Sequence, residues 1–117
     1  MTLGEIIETL QATVVLNNRG DEVVVVERAR ASDLMSDVLT RAKPGALLLT
    51  GLTTLQSIYT AEMADVDVIC YVRGKRPQGK TLKLAEQKNM ILLSTDLPMY
   101  ESCGRLYKKG LKGGTET

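Results

Sequence analysis

The sequence predicts a single α/β domain of three layers: a mostly parallel sheet flanked by helices, with an N-terminal strand pair at the sheet edge. Three observations predict it. The apolar runs ALLLTG, VDVICYV and MILLST have strand length and alternate with stretches of helical apolar spacing. The connections are short, so right-handed crossovers would lay the strands parallel beneath their helices. The chain's 117 residues suffice for one proper core but not two.

Taken in order, Thr2-x-x-Glu5 is a capping box, and Leu3, Ile6, Ile7 and Leu10 follow at helical spacing, which predicts an opening amphipathic helix. ATVVL reads as a short strand. Asn17 to Asp21 is turn chemistry, with Asn and Gly able to take positive φ. EVVVVERA reads as a second strand, and its four consecutive valines suggest burial on both faces. These two early strands are expected to join the sheet edge as a hairpin. Ser32 and Asp33 would start a helix with Leu34, Met35, Val38, Leu39 and Ala42 inward, stopped by Lys43-Pro44-Gly45. After ALLLTG, Thr53-x-x-Gln56 would cap a helix that turns Leu55, Ile58, Tyr59 and Ala61 inward. VDVICYV, the helix TLKLAEQKN and the strand MILLST follow. A last helix from about Pro98 to Lys109 would carry Met99, Tyr100, Cys103, Leu106 and Tyr107 on one side. Residues 1–109 form the domain and 110–117 a polar, frayed tail.

Composition excludes several function classes. The 15 basic and 14 acidic residues nearly cancel, so no global charge draws nucleic acid or an acidic membrane. Phe and Trp are absent, leaving Tyr59, Tyr71, Tyr100 and Tyr107 as the aromatics, which weakens any reading that needs a stacking platform for bases. No run approaches the roughly 20 apolar residues of a membrane span, and the start lacks a secretory signal's layout, so the expected location is the cytoplasm. There is no His, hence no His-activated nucleophile and no His metal ligand. Cys70 and Cys103 read as reduced cysteines packed in the core.

In such sheets ligands bind beyond the carboxyl ends of the strands. Four loops are thereby nominated: Ala31–Asp33, Thr50–Thr53, Arg73–Lys80 and Ser94–Asp96. The third contains GKRPQGKT, residues 74–81, which matches the nucleotide-hydrolase pattern G-x-x-x-x-G-K-[ST] and sits between a strand and a helix. A working loop of this kind curls backbone N–H groups around an anion, with Lys80 on the phosphates, Thr81 on Mg²⁺ and Asp96 steadying the metal. Pro77 opposes that, because it has no N–H and a fixed φ where the backbone must curl. The plainer reading is a basic, solvated turn at a helix start, where Arg73, Lys75, Arg76, Lys80 and Lys83 can hold an anion weakly. Asp33 and Asp37 are paired carboxylates one helical turn apart, with Asp33 explained by capping. Asp65 and Asp67 read as solvated turn residues, and Ser36 as either a phosphorylation site or a small packing residue.

The segment ASDLMSDVLTRAKPGALLLTGLTTLQSIYTAEMADVDVICYVRGKRP, followed by LKLAEQKNMILLSTDLPMYESCGRLY, resembles the DRTGG domain family, especially its small free-standing members. These are similar to the N-terminal domain of HPr kinase/phosphorylase and to regulatory inserts of some inorganic pyrophosphatases. The resemblance covers roughly residues 3–109. Where the family writes G-D-R this chain reads Gly51-Leu52-Thr53, and where it writes T-G-G this chain reads Arg73-Gly74-Lys75, so only Gly51 and Gly74 carry over.

The resemblance implies a non-catalytic regulatory or interaction module, often dimeric, with adenine-nucleotide binding in some pyrophosphatase relatives. Free-standing members often accompany hydrogenase or NADH-oxidoreductase components. The expected ligand site is Gly51, Thr53 and Thr54 as backbone or hydroxyl contacts, Arg73, Gly74, Lys75 and Lys80 at the basic turn, and Ser94 and Thr95 beside it. No catalytic residue, metal or cofactor is expected beyond an adenine nucleotide as regulatory ligand. The expected partners are a second copy and a partner enzyme. The alternatives are a small nucleotide-hydrolysing or phosphotransfer enzyme built on residues 74–81, and an assembly protein without a small ligand.

Overall fold

A computed structural model describes residues 1–40 and 43–113. Its elements are α1 (Leu3–Leu10), β1 (Thr13–Leu16), β2 (Arg28–Ala31), α2 (Met35–Leu39), β3 (Ala46–Thr50), α3 (Leu55–Met63), β4 (Val68–Tyr71), α4 (Gly79–Gln87), β5 (Ile91–Ser94) and α5 (Met99–Lys108). The strands form one mixed, mostly parallel sheet in the order β1-β5-β4-β3-β2. β2 to β5 run parallel, each beside the next in sequence, while β1 pairs antiparallel with β5.

Three successive crossovers of one hand and one direction place their helices on one face of the sheet. Accordingly Met35 and Val38 of α2, Ile58 and Ala61 of α3 and Ala85 of α4 share a core with Leu48, Ile69, Tyr71 and Leu92. The opposite face carries α1 and α5: Ile6, Leu10 and Leu106 pack on Leu47, Leu49, Val68, Cys70, Ile91 and Leu93. Strand residues alternate between the two cores, which is why ALLLT, VICY and ILLS are buried throughout. The capping box that opens α1 is present, with Glu5 N donating to Thr2 Oγ1 at 3.2 Å and Thr2 N donating to Glu5 Oε1 at 2.9 Å.

The early strands do not form a hairpin; they lie at opposite edges of the sheet. The valine run is not a buried strand either. Val23 is 81% and Val25 55% exposed, and only an isolated bridge joins Val25 to Thr2. Its backbone groups are taken by the start of the chain instead: Leu3 N donates to Val24 O at 2.9 Å and Val26 N to Met1 O at 2.7 Å. The strand shifts to Arg28–Ala31, a half-exposed edge whose Ala29 N donates to Lys112 O at 2.9 Å. That contact and the burial of Leu111 extend the packed structure beyond residue 109; residues 114–117 lie outside the described part.

Three further expectations change. α2 has five residues and begins without a side-chain cap, because the Asp33 carboxylate turns toward β3. Leu34 and Leu39 are exposed, and Ala42 lies outside the described residues. The α3 N-cap is Thr54, not Thr53, and Leu55 and Tyr59 face outward while Ser57 and Thr60 are buried. On α5, Tyr100 and Tyr107 are exposed and Ser102 takes the inward place. Asp67 is not simply solvated: it pairs with Arg19 at 3.4 Å. Arg19 also donates to Asn89 O, tying the loop after β1 to the α4–β5 turn.

Candidate functional site

The carboxyl ends of β2, β3, β4 and β5 emerge together, and the connecting turns are fastened to one another. At the end of β3, Asp33 Oδ1 accepts from Thr50 Oγ1 at 2.9 Å and from Gly51 N at 2.6 Å. This carboxylate therefore fixes the strand end rather than capping its own helix. A Cβ on Gly51 would stand 2.8 Å from Arg73 Nη2 and 3.5 Å from Asp33 Oδ1. The Arg73 guanidinium lies across the space a side chain on Gly51 would fill, so any larger residue must displace that flexible tip. No ion pair joins Asp33 to Arg73 among the described residues, so both charged groups border the same opening with capacity for a ligand.

The turn after β4 is held differently. Arg73 and Gly74 both take positive φ, 58° and 70°. Arg73 N donates to Leu97 O at 2.9 Å, Gly74 N to Thr95 O at 2.8 Å and Lys75 N to Val72 O at 3.1 Å. A Cβ on Gly74 would approach Asp96 Oδ1 to 3.2 Å, and its φ disfavours any other residue. Lys75 O accepts from Ser94 Oγ at 2.8 Å.

This geometry constrains the first half of GKRPQGKT. An anion-cradling loop needs consecutive outward N–H donors. Here those of Gly74 and Lys75 are spent on the fold, and Pro77, which has none, is buried. Thr81 is buried in the first turn of α4, 7% exposed. Lys75, Arg76, Lys80 and Lys83 are exposed around the start of α4. What remains is a basic rim beside the strand ends.

An open crevice of about 480 Å³ lies at those ends, between the β2–α2 turn and the start of α5. Asp33, Val72, Arg73, Pro98, Met99 and Tyr100 line it, with Ala31 and Ser32. Of the sequence-nominated residues, Arg73 lines the crevice and Gly51 supports its guanidinium. Gly74 and Lys75 set the turn beneath it. Thr53 and Thr54 sit at the start of α3 and Lys80 at the start of α4, none of them lining this crevice. Ser94 and Thr95 are buried, and the Thr95 hydroxyl donates to Leu10 O at 2.6 Å. Asp33, which lies in a nominated loop but reads as a cap, and Tyr100, which reads only as one side of the last helix, also line the crevice. A larger groove of about 810 Å³ between α1 and α5 mixes Glu5 and Glu8 with Arg105, Lys108 and Lys109, and does not reach the strand ends.

Among the described residues, no group of three or more carboxylate or thiol side chains could hold a metal ion. The cysteines are free; burial pushes the Cys70 thiol up to about 12 and raises that of Cys103, so neither is an activated nucleophile. No helix is long and apolar enough to cross a membrane among the described residues.

No family model matches the chain, and no curated protein matches it. Among solved structures it is similar to the CBS and DRTGG domains of the regulatory region of Clostridium perfringens pyrophosphatase, complexed with the activator diadenosine tetraphosphate. The TM-score is 0.73 at 18% identity. The match covers 97% of this chain and 48% of the other, so this chain spans about half that protein's length. At that identity the likeness shows a shared fold, that of a DRTGG-like domain.

Proposed function

We propose that this chain is a non-catalytic regulatory domain that binds an adenine nucleotide, or a ligand with the same polyanionic chemistry, and acts on a partner enzyme as a homodimer. The observation that carries this reading is the shared fold with a regulatory region complexed with an adenine-nucleotide activator. The local geometry supports it. Arg73 offers an unpaired guanidinium for phosphate, Asp33 an acceptor for a ribose or amino group, and Tyr100 a ring on which a base can lie. Lys75 and Lys80 add charge from the rim, and Thr53 and Thr54 stand at the next helix start. The partner enzyme suggested by the family resemblance is a hydrogenase or NADH-oxidoreductase component, and the cytoplasm is the matching compartment.

Against hydrolysis stand the spent N–H groups of Gly74 and Lys75 and the burial of Pro77 and Thr81. Thermal denaturation with AMP, ADP, ATP and diadenosine tetraphosphate, with and without Mg²⁺, tests the reading. Ligand at about 100 times its Kd stabilises by about 2.7 kcal/mol, a readily measured rise in Tm. The expected result is stabilisation independent of Mg²⁺, lost in Arg73→Ala, with no phosphate released. Stabilisation that needs Mg²⁺ and disappears in Lys80→Ala would instead establish the phosphate-loop enzyme. Identical curves with every nucleotide, together with a stable partner complex, would leave an assembly protein.

A further inference from the structure

The outer face of α5 is unoccupied by the fold and organised along its length. Tyr100 and Tyr107 are the most exposed aromatic rings of the chain, 84% and 60%, and stand seven residues apart on one stripe. Cys103 and Gly104 lie between them, flooring a shallow apolar hollow of about 640 Å³. Lys112 Nζ lies 4.3 Å from the Tyr107 ring centroid and holds that ring in place. Among the described residues nothing requires glycine at 104, since a Cβ there would meet nothing within 4 Å. A glycine inside a helix is destabilising relative to alanine. A neighbouring helix that must approach closely would explain it.

The charges identify the neighbour. α5 carries Glu101 in its first turn and Arg105 and Lys108 in its last. A second α5 laid antiparallel, with Tyr100 opposite Tyr107 and Cys103 opposite Gly104, sets the same flanks together. Glu101 and Lys108 of the two copies then come within about two residues of register, roughly 3 Å along the axis, twice by symmetry. A parallel two-fold would carry these flanks to opposite sides of the seam and leave Glu101 and Lys108 without each other.

We propose that α5 is a self-docking surface on which two copies of this chain pair antiparallel about a two-fold axis near Gly104, with Tyr100 against Tyr107 and reciprocal Glu101–Lys108 contacts. This deepens the homodimer part of the function proposed above and shares only Tyr100 with its nucleotide part. Sedimentation velocity of the full chain tests it, with variants that avoid Tyr100 because that residue also lines the crevice.

The wild type should sediment as a dimer. Glu101→Lys and Lys108→Glu should each weaken the dimer by about tenfold or more, and the double exchange should restore it. Gly104→Gln should keep the helical circular dichroism and yet be monomeric, because the added side chain is free within one copy and blocks the second. A monomeric wild type would overturn the proposal together with the homodimer reading. A wild-type dimer indifferent to all these changes would overturn this face alone.

Discussion

Removing the Asp33 carboxylate should loosen the end of β3, although the residue lies outside any helix and any core. In Asp33→Ala, Thr50 Oγ1 and Gly51 N lose the acceptor that they reach at 2.9 and 2.6 Å. Hydrogen bonds to charged groups net roughly 1.5–3 kcal/mol each. Gly51 is half-exposed and water can replace part of its bond, whereas Thr50 is fully buried. The expected loss is therefore about 2 kcal/mol rather than the sum of two full bonds. Asp33→Asn keeps an acceptor oxygen in place and loses only the charge, for about 1 kcal/mol. For a chain of this size 1 kcal/mol is about 4 °C in Tm, so the variants should melt about 8 and about 4 °C below wild type. Urea denaturation at constant m-value gives the same ordering as free energies. Equal losses in the two variants, or both within about 0.5 kcal/mol of wild type, would refute the view that this carboxylate anchors the strand end.

Other outcomes follow from the same geometry. Ser102 is fully buried and its Oγ has no hydrogen-bond partner, so Ser102→Ala should raise stability by about 1 kcal/mol in denaturant titration. Gly51→Ala displaces only the flexible tip of Arg73, which predicts a stability loss below about 1 kcal/mol but a marked drop in nucleotide affinity by calorimetry. Burial pushes Tyr71, and likewise Cys70, up to about 12. The unfolded chain then releases these protons first as pH rises, so stability is unaffected at neutral pH. It falls above about pH 9 by up to about 1.4 kcal/mol per unit per group. Tyr71→Phe should flatten that decline above pH 10, the ordinary phenol range, in melting curves recorded against pH.

The central sheet was legible because its strands are buried on both faces: ALLLT, VICY and ILLS need no alternation to declare themselves. Helix starts with side-chain signals were legible where the side chain served the helix, as Thr2 and Glu5 do. They misled where a better partner existed across the chain, as for Asp33, whose carboxylate serves Thr50 and Gly51. The valine run looked like a strand because valine favours extended backbone, but its hydrogen bonds are supplied by residues 1–3, a contact no local pattern encodes. The spacing puts Tyr100 and Tyr107 of α5 on one side with Met99, Cys103 and Leu106, yet both tyrosines are exposed. Ser102 and Leu106 hold the inner side instead.

The four strand-end loops were correctly grouped, since that follows from topology alone. The pattern GKRPQGKT could not be judged from letters, because the same residues serve either an open anion cradle or a turn whose N–H groups are spent inward. Only the bonds from Arg73, Gly74 and Lys75 to Leu97, Thr95 and Val72 separate the two. Gly51 illustrates the converse: its place in the sequence suggested a turn requirement, and the structure assigns it to the approach of Arg73.

The most direct test of the central claim is amide chemical-shift mapping of ¹⁵N-labelled protein titrated with AMP and diadenosine tetraphosphate in the absence of Mg²⁺. A regulatory pocket at the strand ends predicts saturable shifts centred on Gly51, Arg73, Gly74 and Tyr100, with none along α1. Shifts confined to the groove between α1 and α5, or no shift at any accessible concentration, would contradict it.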